Sequence, residues 1–257
     1  MLIKVTNKCS LGCSHCLEDS TVQGSPMSWE TFLQALDLTR RVESLVWSQG
    51  IPPRILLSGG ECTEHPEIVP MVEEVYRQGL LPMLLTNGMW LENETLRSAL
   101  LRPEWPDLLI QVTNDPRFYP KAPPQNPDPR LIYVPEITVI SKLGRAARRN
   151  DLSKWVSTRM SPASFNLRSM TKHFRSIEEA VAMLRIRSIV GKSGSCIPSI
   201  SSDGSVVAGE SRFCWKIGDV TSSNEELTRA LLDMKSCNRC GDEANLTLEH
   251  RRAIGIL

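Results

Sequence analysis

The stretch LIKVTNKCSLGCSHC (2–16) joins an apolar run directly to a loop carrying three cysteines. LIKVT (2–6) has the continuous apolar character of a buried strand, and Cys9, Cys13 and Cys16 follow at C-x3-C-x2-C spacing. Three is an odd number for disulfides. The N-terminus lacks the basic-then-apolar layout of a signal peptide, so clustered thiols read first as metal or redox ligands. Thiolates select soft metals, chiefly zinc or iron–sulfur clusters. A structural zinc site wants four protein ligands, so that reading needs a fourth such as His15 or Cys62. A [4Fe–4S] cluster has four irons, and three thiolates leave one iron open to something else.

Outward from this stretch, the order of strand and then chemistry-bearing loop returns. RILLS (54–58) runs into SGGE (58–61), and PMLLT (82–86) into TNG (86–88). Helical patterns separate them. After Ser28, one helical face carries Phe32, Ala35, Leu36, Thr39, Val42 and Val46. Pro66 opens a second helix with Ile68, Met71, Val72 and Val75, stopped by Gly79, and Leu91 to Leu101 form a third. DLLIQV (107–112) reads as the fourth strand, the proline-rich DPRFYPKAPPQNPDPR (115–130) replaces the next helix, and EITVI (136–140) reads as the fifth strand. Alternating strands and helices imply an α/β fold of parallel strands with right-handed crossovers. Continuously apolar runs predict strands buried on both faces. The chemistry then belongs at the carboxyl ends of the strands, where the cysteine loop, SGGE and TNG all fall.

Past residue 141 the alternation loosens, with FNLRSM (165–170) a candidate sixth strand. Ser176 and Glu179 form a capping box for a helix burying Ile177, Ala180, Val181 and Leu184. After Ile189 the composition turns to Gly, Ser and Cys, which sets a boundary near 190. SISSDGSVV (199–207) reads as a β-hairpin turning at Asp203-Gly204. Ser223 and Glu226 cap a last helix with Leu227, Ala230, Leu231 and Met234 on one face. The expected units are a barrel-type domain over 1–190 and a small hairpin-plus-helix, cysteine-rich unit over 191–257.

Composition bounds the function. A chain of 257 residues suits one large α/β domain with an appendage, and 41% hydrophobic with 23% charged residues argues against disorder. A net charge of +1 gives no pull toward nucleic acid or membrane, and the basic patch near 144–149 is isolated. No apolar run approaches the roughly 18–20 residues of a bilayer span, so a cytoplasmic protein with no membrane partner is expected.

CSLGCSHC, SGGE after the second strand and TNG after the third together resemble the radical S-adenosylmethionine superfamily. The resemblance implies a partial (β/α)6 barrel in which Cys9, Cys13 and Cys16 ligate a [4Fe–4S] cluster. The open iron would bind the amino and carboxylate groups of S-adenosylmethionine, and reductive cleavage would yield a 5′-deoxyadenosyl radical that removes a substrate hydrogen atom. Ser58, Gly59, Gly60 and Glu61 match the family's segment that contacts the methionine amino group. Two glycines let backbone approach a ligand, and a carboxylate accepts from an ammonium. His15 stands where the family often has an aromatic residue against the adenine. Thr86 and Asn87 are further cofactor candidates, although GGE or TNG alone is only a turn. Gln111, Thr113 and Asp115 close the fourth strand, where ribose or substrate contacts would fall, and Asp115 could equally cap the loop. A Gly-Arg-Ala stretch recurs here in SPASM-type enzymes, which makes Arg145 a catalytic candidate against the plain reading of a solvated charge run. Cys62, expected near the active mouth, is either a small buried residue or a hydrogen-atom donor or ligand.

Cys196, Cys214, Cys237 and Cys240 surround the hairpin and the IGDV run (217–220). This arrangement resembles a twitch domain, the shortened SPASM region, and implies a second, auxiliary [4Fe–4S] cluster used for electron transfer. A zinc ribbon is the alternative for these four cysteines. The implied activity is oxidative modification, a crosslink or dehydrogenation, of a ribosomally made peptide. The rivals are dehydrogenation of a sugar or aminocyclitol, and a zinc-bearing binding or regulatory protein on the same scaffold. A flavodoxin- or ferredoxin-type donor would supply electrons. The sequence opens at the first strand, which weakens the peptide reading; under that reading a separate leader-peptide-binding protein would do the gripping.

Overall fold

The structure, a computed structural model, describes residues 1–44, 54–134, 143–149 and 199–233. Its strands are β1 (Leu2–Thr6), β2 (Arg54–Gly59), β3 (Leu81–Thr86), β4 (Leu109–Thr113), β5 (Leu131–Val134), β6 (Ser199–Ile200), β7 (Ser205–Val207) and β8 (Lys216–Asp219). They form one sheet in the order β5-β4-β3-β2-β1-β6-β7-β8. Every pairing from β5 to β6 is parallel, and only β6–β7 and β7–β8 are antiparallel. The helices are α1 (Trp29–Ser44), α2 (Ile68–Arg77), α3 (Glu94–Leu100) and α4 (Asn224–Asp233). The described chain is therefore a mixed α/β protein with an open, mostly parallel sheet. The hairpin strands of the last region continue that sheet through β6 beside β1.

Local chemistry sets most element ends. Ser28 Oγ accepts from the Thr31 amide at 3.1 Å and caps α1. Gly79 follows α2 at φ +70°, where a side chain is rarely tolerated. The Ser223–Glu226 capping box forms reciprocally, Ser223 N donating to the Glu226 carboxylate at 2.8 Å and Glu226 N to Ser223 Oγ at 3.2 Å. Gly204 takes φ +83° at the hairpin turn, and Asp203 Oδ1 accepts from the Ser205 amide at 3.0 Å. Ile3, Val5, Ile55, Leu57, Leu84, Ile110 and Val112 from the strands share one core with Phe32, Leu36, Met71, Val72 and Val75 from the helices.

Three expectations change. β1 is buried along its whole length, but β2, β3 and β4 alternate buried and half-exposed residues rather than being buried on both faces. Leu56, Met83, Leu85 and Leu109 make those runs apolar, yet the described residues leave their face partly open. An apolar side chain does not by itself report what covers it. The run expected as one helix from Leu91 is a 3-10 turn (Met89–Glu92) followed by α3, because the Asn93 side chain caps the Leu96 amide at 3.1 Å and restarts the helix. The strand after β4 is LIYV, which the sequence reading passed over; EITVI lies outside the described residues. Arg130 anchors this short strand by donating to the carbonyls of Leu101, Arg102 and Trp105 at 2.6–3.0 Å. FNLRSM, the Ser176–Glu179 helix, Met234, Cys196, Cys237 and Cys240 also lie outside the described residues. Among those described, no helix is long and apolar enough to cross a membrane.

Candidate metal centre

The loop after β1 has one internal turn bond, Cys16 N to the Cys13 carbonyl at 3.3 Å, and is otherwise held largely by its neighbours. Cys9 N donates to the Thr21 carbonyl at 2.9 Å, and Gly12 takes φ +68° at the bend between Cys9 and Cys13. Glu64, just past SGGE, accepts from Ser10 N and Ser10 Oγ at 2.8 and 2.7 Å. Arg145 clamps the other side. Its amide donates to the Cys16 carbonyl at 2.8 Å, and its guanidinium to the Cys13 and Ser20 carbonyls at 2.6 and 2.7 Å. Asp19 pairs with that guanidinium at 3.4 Å. Gly144, at φ +54°, allows the approach, since a Cβ there would stand 2.6 Å from the Leu17 carbonyl oxygen. Arg145 thus supports the cysteine loop.

Cys9 is buried, Cys13 and Cys16 are half-buried, and all three thiols are free. Burial pushes the Cys9 thiol up to about 11 and the Cys13 thiol up to about 12; the charges of Glu61, Glu64 and Cys16 add to the first, and those of Cys9 and Cys16 to the second. Cys9 and Cys13 thus favour the thiol form, and a cationic centre bound there would reverse that balance and strip their protons.

SGGE and TNG meet in one buried corner. A Cβ at Gly59 would stand 2.3 Å from the Thr6 carbonyl oxygen, and one at Gly60 2.4 Å from that of Lys8, so only glycine lets β2 close on the cysteine loop. Glu61 is 2% exposed. Its Oε1 accepts from Thr63 N at 3.1 Å and from Thr63 Oγ1 and Thr86 Oγ1 at 2.6 Å each, and its Oε2 from Asn87 N at 2.7 Å. The carboxylate expected to receive an ammonium is therefore filled by the chain's own donors. It joins the end of β2 to the end of β3. Burial raises its pKa against those hydrogen bonds. Cys62 is wholly buried in the core, its thiol 3.4 Å from the Leu85 carbonyl oxygen.

The loop after β4 supplies the facing wall. Asp115 is fully buried and turns the chain: its carbonyl accepts from Phe118 N and Tyr119 N at 2.9 Å, and its carboxylate pairs with Arg117. That turn carries Phe118 and Tyr119 onto His15, at ring-centroid distances of 5.1 and 5.0 Å. Burial lowers His15 to about 4, so the ring is neutral, and its buried Nδ1 has no hydrogen-bond partner among the described residues. Burial raises the Tyr119 phenol, and the charges of Cys13, Glu61, Cys16 and Cys9 all add, which places this ring beside both halves of the site. Gln111 Nε2 lies 3.4 Å from Thr113 Oγ1 on the half-exposed face of β4, and Ser58 is half-buried at the end of β2.

The three thiols, the glycine corner and the aromatic wall thus converge at the carboxyl ends of β1, β2, β3 and β4. Among the described residues, no three His, Cys, Asp or Glu side chains already close on a single ion. In a cluster each thiolate binds a different iron, so its ligands need not meet at one point. The donor set fits a three-thiolate cluster. Glu64, Thr63, Phe118 and Tyr119 escaped the sequence reading because nothing local ties them to the cysteines. Of the later four cysteines, Cys214 is described; its thiol lies 2.7 Å from where a Cβ at Gly209 would stand.

No family model matches the chain. Over 100 residues it is 29% identical to the tungsten-containing aldehyde ferredoxin oxidoreductase cofactor-modifying protein of Pyrococcus furiosus. The matched stretch is 38% of this chain and spans only 26% of that protein's length. By its name, that relative is a modifying protein.

Proposed function

We propose that the chain is a radical S-adenosylmethionine enzyme of the modifying kind, acting on a peptide. The observation that carries the reading is the Glu61 corner, which ties SGGE to TNG beside three clustered thiols. Cys9, Cys13 and Cys16 would hold a [4Fe–4S] cluster with one iron left for S-adenosylmethionine. When bound, that pair supplies one-electron cleavage of the sulfonium and a 5′-deoxyadenosyl radical able to take a substrate hydrogen atom. The chain's own part is placement. Gly59 and Gly60 let β2 close on the cysteine loop, the neutral His15 with Phe118 and Tyr119 offers an aromatic wall, and Gln111 and Thr113 offer polar contacts. Cys214, with Cys196, Cys237 and Cys240, would hold the auxiliary cluster that accepts the electron given up by the substrate radical, and a flavodoxin or ferredoxin would feed the first site. A small-molecule substrate is the second reading, favoured by the relative's name, which sets its work on a cofactor.

Iron and sulfide content of anaerobically purified protein tests this. Wild type should carry about eight irons, and a variant with Cys9, Cys13 and Cys16 all changed to alanine about four. Dithionite-reduced wild type should release 5′-deoxyadenosine from S-adenosylmethionine, and the variant none. Zinc in place of iron, with no cleavage, would defeat the reading.

A further inference from the structure

Lys4 interrupts the apolar run of β1 and is 3% exposed. Its ammonium donates to the Glu18 carboxylate and to the Glu210 carbonyl. Glu18 lies two residues past Cys16, and its carboxylate also accepts from the Arg212 amide at 3.2 Å. Beside it, Ser211 Oγ donates to the Leu17 carbonyl at 2.8 Å. Ser199 Oγ, on β6, donates to the Gly209 carbonyl at 2.7 Å, and Gly209 is the residue on which the Cys214 thiol rests. The segment 209–212, which leads into Cys214, is thus joined to residues 17–18, which lead out of Cys16.

Packing alone does not call for ions here. An apolar pair of similar volume is often as stable as a buried ion pair, because both charges lose their water. An ion pair does add direction: this ammonium and carboxylate fix where the Glu210 carbonyl and the Arg212 amide stand. We propose that Lys4 and Glu18 are positioning residues that hold the Cys214 thiol at a set place relative to the Cys9–Cys13–Cys16 loop, so that Cys214 and that loop share one frame. The proposal rests on the reading above that both groups of cysteines hold iron–sulfur clusters.

The full chain, purified anaerobically, is compared with Lys4→Met and with Lys4→Met/Glu18→Leu. The double variant removes both charges and so avoids stranding one buried ion. Iron content, amide exchange at Arg212 and the electron paramagnetic resonance of the dithionite-reduced protein are read together. Iron should stay at about eight per chain in the double variant. Arg212 exchange should rise at least about ten-fold as its carboxylate partner is lost. The mutual broadening of the two cluster signals should change, which a purely stabilising role would not produce once the fold is intact. Wild-type exchange and wild-type spectra in the double variant would overturn the proposal. Wild type with only about four irons would overturn the two-cluster reading and, with it, the shared frame; faster Arg212 exchange in those samples would then mark the failure as one of metal content, not of docking.

Discussion

Glu61 and Glu18 are both buried carboxylates, 2% and 6% exposed, and are held by different kinds of donor. Glu61 is satisfied by neutral donors: two hydroxyls and two amides from Thr63, Thr86 and Asn87. Glu18 is satisfied by a buried ammonium and one amide. The neutral cage joins segments within one parallel sheet, whereas the ion pair joins β1 to the segment after the cysteine loop and holds the hairpin region through the Glu210 carbonyl and the Arg212 amide. Neutral cages set local geometry and tolerate a neutral acid. A buried ion pair forbids the loss of either partner, which suits a joint between distant segments.

The largest effect should come from Glu18→Gln, which leaves the Lys4 ammonium, 4% exposed, without its counter-charge. Urea unfolding should show a loss of about 3–5 kcal/mol. Arg145→Ala removes a charged donor from the Cys13 and Ser20 carbonyls and should cost about 2–3 kcal/mol in urea unfolding. Glu61→Gln keeps the shape of the neutral cage and should cost only about 1–2 kcal/mol at neutral pH. If Glu61→Gln proves costlier than Glu18→Gln, the contrast between cage and ion pair is wrong.

The pH dependence sharpens the same contrast. Burial raises the Glu61 carboxyl, so the folded chain keeps this proton to higher pH than the unfolded chain does. Stability from this group is complete below the ordinary carboxylate range and is lost as pH climbs through the raised value. Unfolding of Glu61→Gln measured across that range should lack this fall. The smallest effect belongs to the exposed Arg40–Asp37 pair at 3.1 Å, where Arg40→Ala should stay within about 0.5 kcal/mol of wild type.

Much of the strand–loop order was legible, because it follows from short-range chemistry. Strands β1 to β4, the Asp203-Gly204 turn and the Ser223–Glu226 cap stand at or within a residue or two of where the residues predict them. LIYV was missed because four residues after an Asp-Pro-Arg turn carry little periodicity, and its anchor, Arg130, bonds to carbonyls far back in the chain. The burial of β2–β4 was misjudged because apolar content does not say which face is covered. Glu61 stands out in the sequence only as the end of a GGE triplet, and the internal donors that hold its carboxylate could not be read from that triplet.

The sequence by itself determined the spacing of the cysteines, the glycines that permit close backbone approach, the caps and the strand order along the chain. These depend on neighbours a few residues away, and the chain records such neighbours directly. Only the tertiary structure decided that Lys4 reaches Glu18 and Glu210, 14 and 206 residues away, or that Arg145 grips Cys13 across 132 residues. It also decided that the hairpin extends the sheet beside β1. Burial drives these long-range choices: a charge or a carbonyl removed from water must find a partner, and the partner is whichever group the packed core brings within reach.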